Sequence, residues 1–99
     1  MKVLITDKMA EEAINVLKKA GHEITYDEMD ASTLLEEIEK YDALMIRSRT
    51  KAVKEVIEIG AKGKLKVIGR AGIGVDNIDI EIAGKHKIPV VNAPTGATA

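Results

Sequence analysis

Leu65-Lys66-Val67-Ile68-Gly69, running on into Arg70-Ala71-Gly72-Ile73-Gly74, is the stretch whose reading decides the fold. A short, β-branched apolar run that ends in glycines, with a helix-like segment beyond, reads as a buried strand entering a loop. The helical pattern of residues 80–85, opened by Asp79 as a cap, then leads to a second apolar run at residues 89–91. Strand, helix and strand in that order make a β-α-β unit, whose two strands must lie parallel.

The same alternation recurs towards the N-terminus. Residues 3–6 predict a strand and residues 9–20 a helix, with Ile14, Val16 and Leu17 facing inward and Gly21 stopping it in a left-handed cap. A short strand follows at residues 24–26. The next helix is expected to open at Ser32 or Thr33, since Thr33 and Glu36 have capping-box spacing. Leu34, Leu35 and Ile38 would supply its apolar stripe, and Glu36, Glu37 and Glu39 its wet side. A third strand at residues 43–46 and a third helix at residues 53–59 complete the series. Five strands alternating with helices predict an α/β fold of flavodoxin-like type, a doubly wound parallel sheet in the order 2-1-3-4-5. Only eight residues follow the fifth strand, so the helix that would cover the sheet after it is expected to be missing. The chain then reads as part of something larger, with a sheet face or edge open to a partner or a second copy.

Composition narrows the function. A chain of 99 residues is the size of one domain, and with no Phe, Trp or Cys its core must come from Ile, Val, Leu, Ala and Met. Charges balance to −1 and the lysines are scattered, so no basic run suggests nucleic acid. No apolar stretch approaches the roughly 20 residues a membrane span requires. Met1-Lys2 leads straight into a strand without a secretory core, and a cytoplasmic protein is expected. No His, Asp and Glu grouping has metal-ligand spacing, so no metal is expected.

Ligands of open α/β sheets sit beyond the carboxyl ends of the strands. The segments there are Asp7-Lys8, Arg47-Ser48-Arg49-Thr50, residues 70–77 and residues 92–96. Arg47 and Arg70 stand at the ends of adjacent predicted strands, about 5 Å apart, so both guanidinium groups could converge on one phosphate or carboxylate. A lone arginine on a small domain is more often a solvated bystander; two at neighbouring strand ends favour an anion site. Gly72-Ile73-Gly74 invites a dinucleotide-fingerprint reading, which fails because the third glycine position is Asn77 and no acidic strand end follows about 20 residues on. A ligand-free glycine turn is its plain alternative. His22 and His86 fall at helix ends without a carboxylate placed to make either a base.

The blocks Ile46-Arg47-Ser48-Arg49-Thr50, residues 65–79 from Leu65 through Gly69-Arg70-Ala71-Gly72-Ile73-Gly74 to Asp79, and Val90-Val91-Asn92-Ala93-Pro94-Thr95-Gly96 together resemble the D-2-hydroxyacid dehydrogenases of the phosphoglycerate dehydrogenase type. The resemblance covers essentially the whole chain. It implies a substrate-binding half-domain of an NAD-dependent enzyme that oxidises 3-phosphoglycerate to 3-phosphohydroxypyruvate on the way to serine. It also implies that Arg47, Arg70 and Ser48 hold the small anionic acid, that Gly72 and Ile73 form the turn against the substrate carboxylate, and that the Ile73 side chain approaches the nicotinamide. The family's catalytic residues and dinucleotide loop would lie beyond Ala99, so the isolated chain is expected to be inactive. Two positions depart from the pattern: Ala97 replaces a usual Asn, and Lys85-His86-Lys87 stands where a helix-ending glycine is usual. A glyoxylate or hydroxypyruvate reductase is the alternative within the class. A stand-alone flavodoxin-like binding or self-associating module is the alternative outside it; a phosphoacceptor reading fails because Asp7-Lys8 and Arg47 occupy the positions where acidic residues would be needed.

Overall fold

The computed structural model describes residues 1–71 and 77–93. Its elements are β1 (Lys2–Ile5), α1 (Glu11–Lys19), β2 (Glu23–Tyr26), α2 (Ala31–Glu37) running into a 3-10 turn (Ile38–Lys40), β3 (Ala43–Ile46), α3 (Lys54–Lys62), β4 (Val67–Ala71), α4 (Ile80–Lys85) and β5 (Val90–Ala93). The strands form one sheet in the order β2-β1-β3-β4-β5, every pairing parallel, as the alternation of patterns predicts.

Successive side chains of a strand point to opposite faces, and this sorts the core into two layers. Leu4, Leu44, Ile46 and Ile68 face one side, where they meet Leu34, Ile38, Val56, Ile57 and Ala83 from α2, the 3-10 turn, α3 and α4. Val3, Ile5 and Ala43 face the other, where the helical cover comes from α1 through Ile14 and Leu17, with Met9 just before it. Truncating a fully buried Leu44 or Ile57 to Ala would cost about 2–5 kcal/mol by the usual cavity argument. The α1 side is the thinner layer: Met45 and Val67 are half-buried there, and Val91 on β5 is 51% exposed. No helix among the described residues is long and apolar enough to cross a membrane.

Several boundaries differ from expectation for physical reasons. Val16 does not face inward; it is 65% exposed, because α1 meets the sheet along the Ile14 and Leu17 stripe alone. The cap of α2 is Asp30, not Ser32 or Thr33: its carboxylate accepts the Thr33 N–H at 2.8 Å and the Ser32 hydroxyl at 3.2 Å. β4 begins two residues after Leu65, which is buried but serves the turn by donating its N–H to the Gly60 carbonyl at 3.0 Å. Asp79 does cap α4, accepting the Ile82 N–H at 3.1 Å.

Two helices end in the same motif on different residues. Past α1, Gly21 has φ +92°, with Gly21 N–H on the Lys18 carbonyl (3.0 Å) and His22 N–H on that of Leu17 (3.2 Å). Past α4, Lys87 takes the equivalent left-handed place at φ +58°, with its N–H on the Gly84 carbonyl (3.1 Å) and that of Ile88 on Ala83 (2.9 Å). The altered cap read from Lys85-His86-Lys87 is therefore a left-handed lysine.

Candidate functional site

All the strands run the same way, so their carboxyl ends form one rim, and β1, β3 and β4 bring Asp7, the 47–50 segment and Arg70 to it side by side. Asp7, only 2% exposed, is the hub. Its carboxylate accepts the Arg47 N–H at 2.6 Å, the Thr50 N–H at 3.0 Å and the Thr50 hydroxyl, and it pairs with Arg49 Nε at 3.2 Å. Arg49 is fixed further by Nη2 donating to the carbonyls of Thr6 (2.6 Å) and Met29 (3.1 Å). Burying a carboxylate costs free energy unless donors surround it, and here four do.

From the opposite side, Asn77 Nδ2 donates to the carbonyls of Arg47 and Thr50, the latter at 2.7 Å. Those two donations fix the amide's orientation, because turned over its oxygen would face two carbonyls; Oδ1 is buried without a partner among the described residues. A parallel bridge between Ala52 and Ile78, with Ala52 N–H on Asn77 O and Asp79 N–H on Ala52 O, both 2.9 Å, ties the two loops together.

Between these loops opens a cleft of about 490 Å³, within the size range of small-molecule sites. Its polar lining is Ser48, Lys51, Arg70, Asn77 and Asp79; Ala52, Val53 and Ile78 supply the apolar wall. Arg70 is 8% exposed, and its Nε donates to the Arg47 carbonyl at 3.3 Å. A nearly buried guanidinium anchored at the wall of a cleft is suited to a carboxylate or phosphate.

The structure brings together Ser48 and Arg70 of the expected site residues. Arg47 is different: its side chain leaves towards β1, where Nη1 donates to the Lys8 carbonyl at 3.3 Å, and among the described residues it is not part of the cleft wall. The strand pleat explains this, because Arg70 shares a face with Ile68 whereas Arg47, one residue past Ile46, turns the other way. Gly72 and Ile73 lie outside the described residues, as do residues 94–97 with the Ala97 departure. His22 meets the N-terminal amine through Nδ1 at 3.2 Å, and His86 is the C-cap of α4. Lys51, Asp7 and Asn77 are the site residues that sequence reading did not single out. For Asp7 a signal existed: strands 1 and 3 are neighbours in the expected order, so an Asp at the end of the first must face whatever follows the third.

Among the described residues, the helix N-termini do not suit a dinucleotide pyrophosphate. Acidic residues stand at or near each: Glu11 and Glu12 in α1, Asp30 capping α2, Glu55 in α3, Asp79 and Glu81 at α4. Negative charge there repels a bound phosphate instead of completing the helix dipole's attraction for it.

A parallel sheet in this order, with a polar cleft at its carboxyl rim, places the chain among doubly wound α/β proteins. The family model described as D-isomer specific 2-hydroxyacid dehydrogenase, catalytic domain, matches residues 3–99, and the chain belongs to that family. It is 48% identical over 99 residues to a D-3-phosphoglycerate dehydrogenase of Archaeoglobus fulgidus, covering 99% of this chain and 18% of that protein. It is 44% identical to the chloroplastic D-3-phosphoglycerate dehydrogenase 2 of Arabidopsis thaliana, covering 98% of this chain and 15% of that one. Among solved structures, the NAD+-bound 3-phosphoglycerate dehydrogenase of Entamoeba histolytica superposes with a TM-score of 0.77 at 37% identity, over 93% of this chain and 32% of its own. The chain thus spans less than a third of each of these relatives.

Proposed function

We propose that this chain is the substrate-binding part of an NAD-dependent oxidoreductase that interconverts a small 2-hydroxy acid and its 2-oxo acid, 3-phosphoglycerate being the substrate best supported. The observation that carries the reading is Arg70, a nearly buried guanidinium lining a polar cleft with Ser48 and Lys51 in a chain of this family. Arg70 holds an anionic group of the acid, and Ser48 donates a hydrogen bond beside it. Arg47, turned to the other face of the sheet and donating to the Lys8 carbonyl, is left out of this assignment. Family likeness alone, not the described residues, assigns Gly72 and Ile73 to the substrate carboxylate and the nicotinamide. NAD, when bound, takes the hydride. The acidic helix starts here leave its pyrophosphate to other parts of the parent protein, so this chain's own work is to bind and orient the acid.

The reading has three tests. In the full-length protein, Arg70→Ala should lower kcat/KM for 3-phosphoglycerate by at least tenfold, each such step being about 1.4 kcal/mol; unchanged kinetics would remove Arg70 from the site. The 99-residue chain alone should neither hold NADH tightly nor turn over. A second copy against the exposed Val91 side of β5 belongs to the same reading, and sedimentation at two concentrations should show it as a concentration-dependent rise in mass.

A further inference from the structure

We infer that Asp7 is a positioning residue for substrate: its buried carboxylate sets the shape of the 47–50 segment, and through that segment the placement of Ser48 in the cleft. The inference rests on the functional reading above and assigns a role to a residue that does not itself line the cleft.

The register explains how Asp7 comes to be there. Ile5 of β1 is the partner of Met45 in β3, and Thr6 N–H continues the ladder onto the Met45 carbonyl at 3.3 Å. Asp7 therefore emerges level with Arg47, where β3 gives way to loop. A residue at that point with an apolar side chain would satisfy the sheet equally well, because the ladder uses only backbone. What the carboxylate adds is a set of bonds to the loop alone: Arg47 N–H at 2.6 Å, Arg49 Nε at 3.2 Å, Thr50 N–H at 3.0 Å and the Thr50 hydroxyl.

The pattern of those partners is the informative part. Among the described residues Asp7 holds positions 47, 49 and 50 and takes no bond from 48. The residue left out is Ser48, which is exposed and lines the cleft with Arg70. Ser48 is thus bracketed by anchored neighbours while it is itself exposed at the cleft. Asn77 holds the same two flanks by their carbonyls, those of Arg47 and Thr50, so the segment is gripped from both sides by its ends. A buried charge gives little net stability once its desolvation is counted, and its best-attested use is to select one geometry over its competitors. Here the geometry selected is that of a binding loop, and a preformed loop spares the ligand the ordering of that segment.

The test uses the full-length protein with 3-phosphohydroxypyruvate, hydroxypyruvate and glyoxylate as oxidised substrates. Asp7→Asn keeps the size but presents an amide to donors. The expected result is a substrate KM raised at least tenfold, with the NADH KM within twofold of the parent and kcat changed less than the substrate KM. A role in folding alone would lower the active fraction, which reduces kcat and leaves both KM values where they were; that result overturns the inference, as does an unchanged substrate KM. If Asp7→Asn does not fold, Thr50→Val removes only the hydroxyl donor and should raise the substrate KM about threefold by the same loosening; no rise overturns the inference equally. Parent protein that reduces none of the three acids defeats the functional reading and this inference with it, whereas an active parent with an indifferent Asp7→Asn defeats the inference alone.

Discussion

Arg70 and Asn77 donate to the same atom, the carbonyl oxygen of Arg47, from β4 and from the loop beyond it. That oxygen is where β3, β4 and the 77–79 loop are joined, and the second Asn77 hydrogen extends the joint to Thr50. Asn77→Asp would set an acceptor-only group against two carbonyl oxygens. The expected loss is about 1–3 kcal/mol of unfolding free energy, read from urea titration near neutral pH; a change within error would mean the loops are held by the Ala52–Ile78 bridge alone.

Two glycines should respond to alanine with opposite signs. A Cβ on Gly63 would stand 2.5 Å from the Glu39 carbonyl oxygen and 2.8 Å from its Cα, and backbone cannot step aside as a side chain can. Gly63→Ala should therefore destabilise by about 1–3 kcal/mol. Gly84 is exposed in α4 with nothing within 4 Å of its missing Cβ, so Gly84→Ala should stabilise by up to about 1 kcal/mol. Thermal unfolding of the pair checks both.

Lys87 occupies the left-handed position that Gly21 fills after α1. A residue with a Cβ pays roughly 1–2 kcal/mol there, part of which glycine's greater freedom in the unfolded chain offsets. Lys87→Gly should gain about 0.5–1 kcal/mol, and Gly21→Ala should lose about 1 kcal/mol by the same argument. Equal melting of Lys87→Gly and the parent would show the strain to be absent.

Acid should weaken the fold through two carboxylates. The Thr33 N–H, with the Thr33 and Ser32 hydroxyls, holds the Asp30 carboxyl below its usual range, and the Lys2 N–H does the same for Asp42, helped by Lys66. A carboxyl whose folded pKa is depressed contributes its stability in full above its unfolded value, about 3.9, and loses it as pH falls through the lower folded value. The urea midpoint should stay level from pH 7 to 5 and drop below about pH 4. Asp30→Asn keeps a capping oxygen without a titrating group, so the drop should be shallower in that variant; an identical pH profile would exclude Asp30 as a source.

The sheet was legible because its signal is local: each β-α unit announces itself in about 20 residues, and four in succession before a fifth strand predict a doubly wound parallel sheet. Edges were less so. Leu65 looked like strand because it is apolar, while its burial serves a turn; Arg70-Ala71 and Asn92-Ala93 looked like loop because they follow the apolar runs, while their backbones continue the ladder. The site divides similarly. Ser48 and Arg70 could be found from position at strand ends. The outward turn of Arg47 could not, because it depends on whether the pleat carries one residue past Ile46. Asp7 and Asn77 were hidden for another reason: their partners are backbone atoms and side chains 27 to 43 residues away, and such pairing leaves no periodic trace in sequence.

Forty positions of sequence separate Asp7 from Arg47, yet one hydrogen bond spans them. A loop cut to shape by so distant a group exists only once the chain has collapsed around it, so a metabolite that fits it is blind to the denatured ensemble. By mass action, saturation at a hundred times the dissociation constant adds about 2.7 kcal/mol to the native state. On the function proposed above, the bound acid also shields the folded chain from proteolysis, and withdrawing it should raise the rate at which a protease cuts the protein.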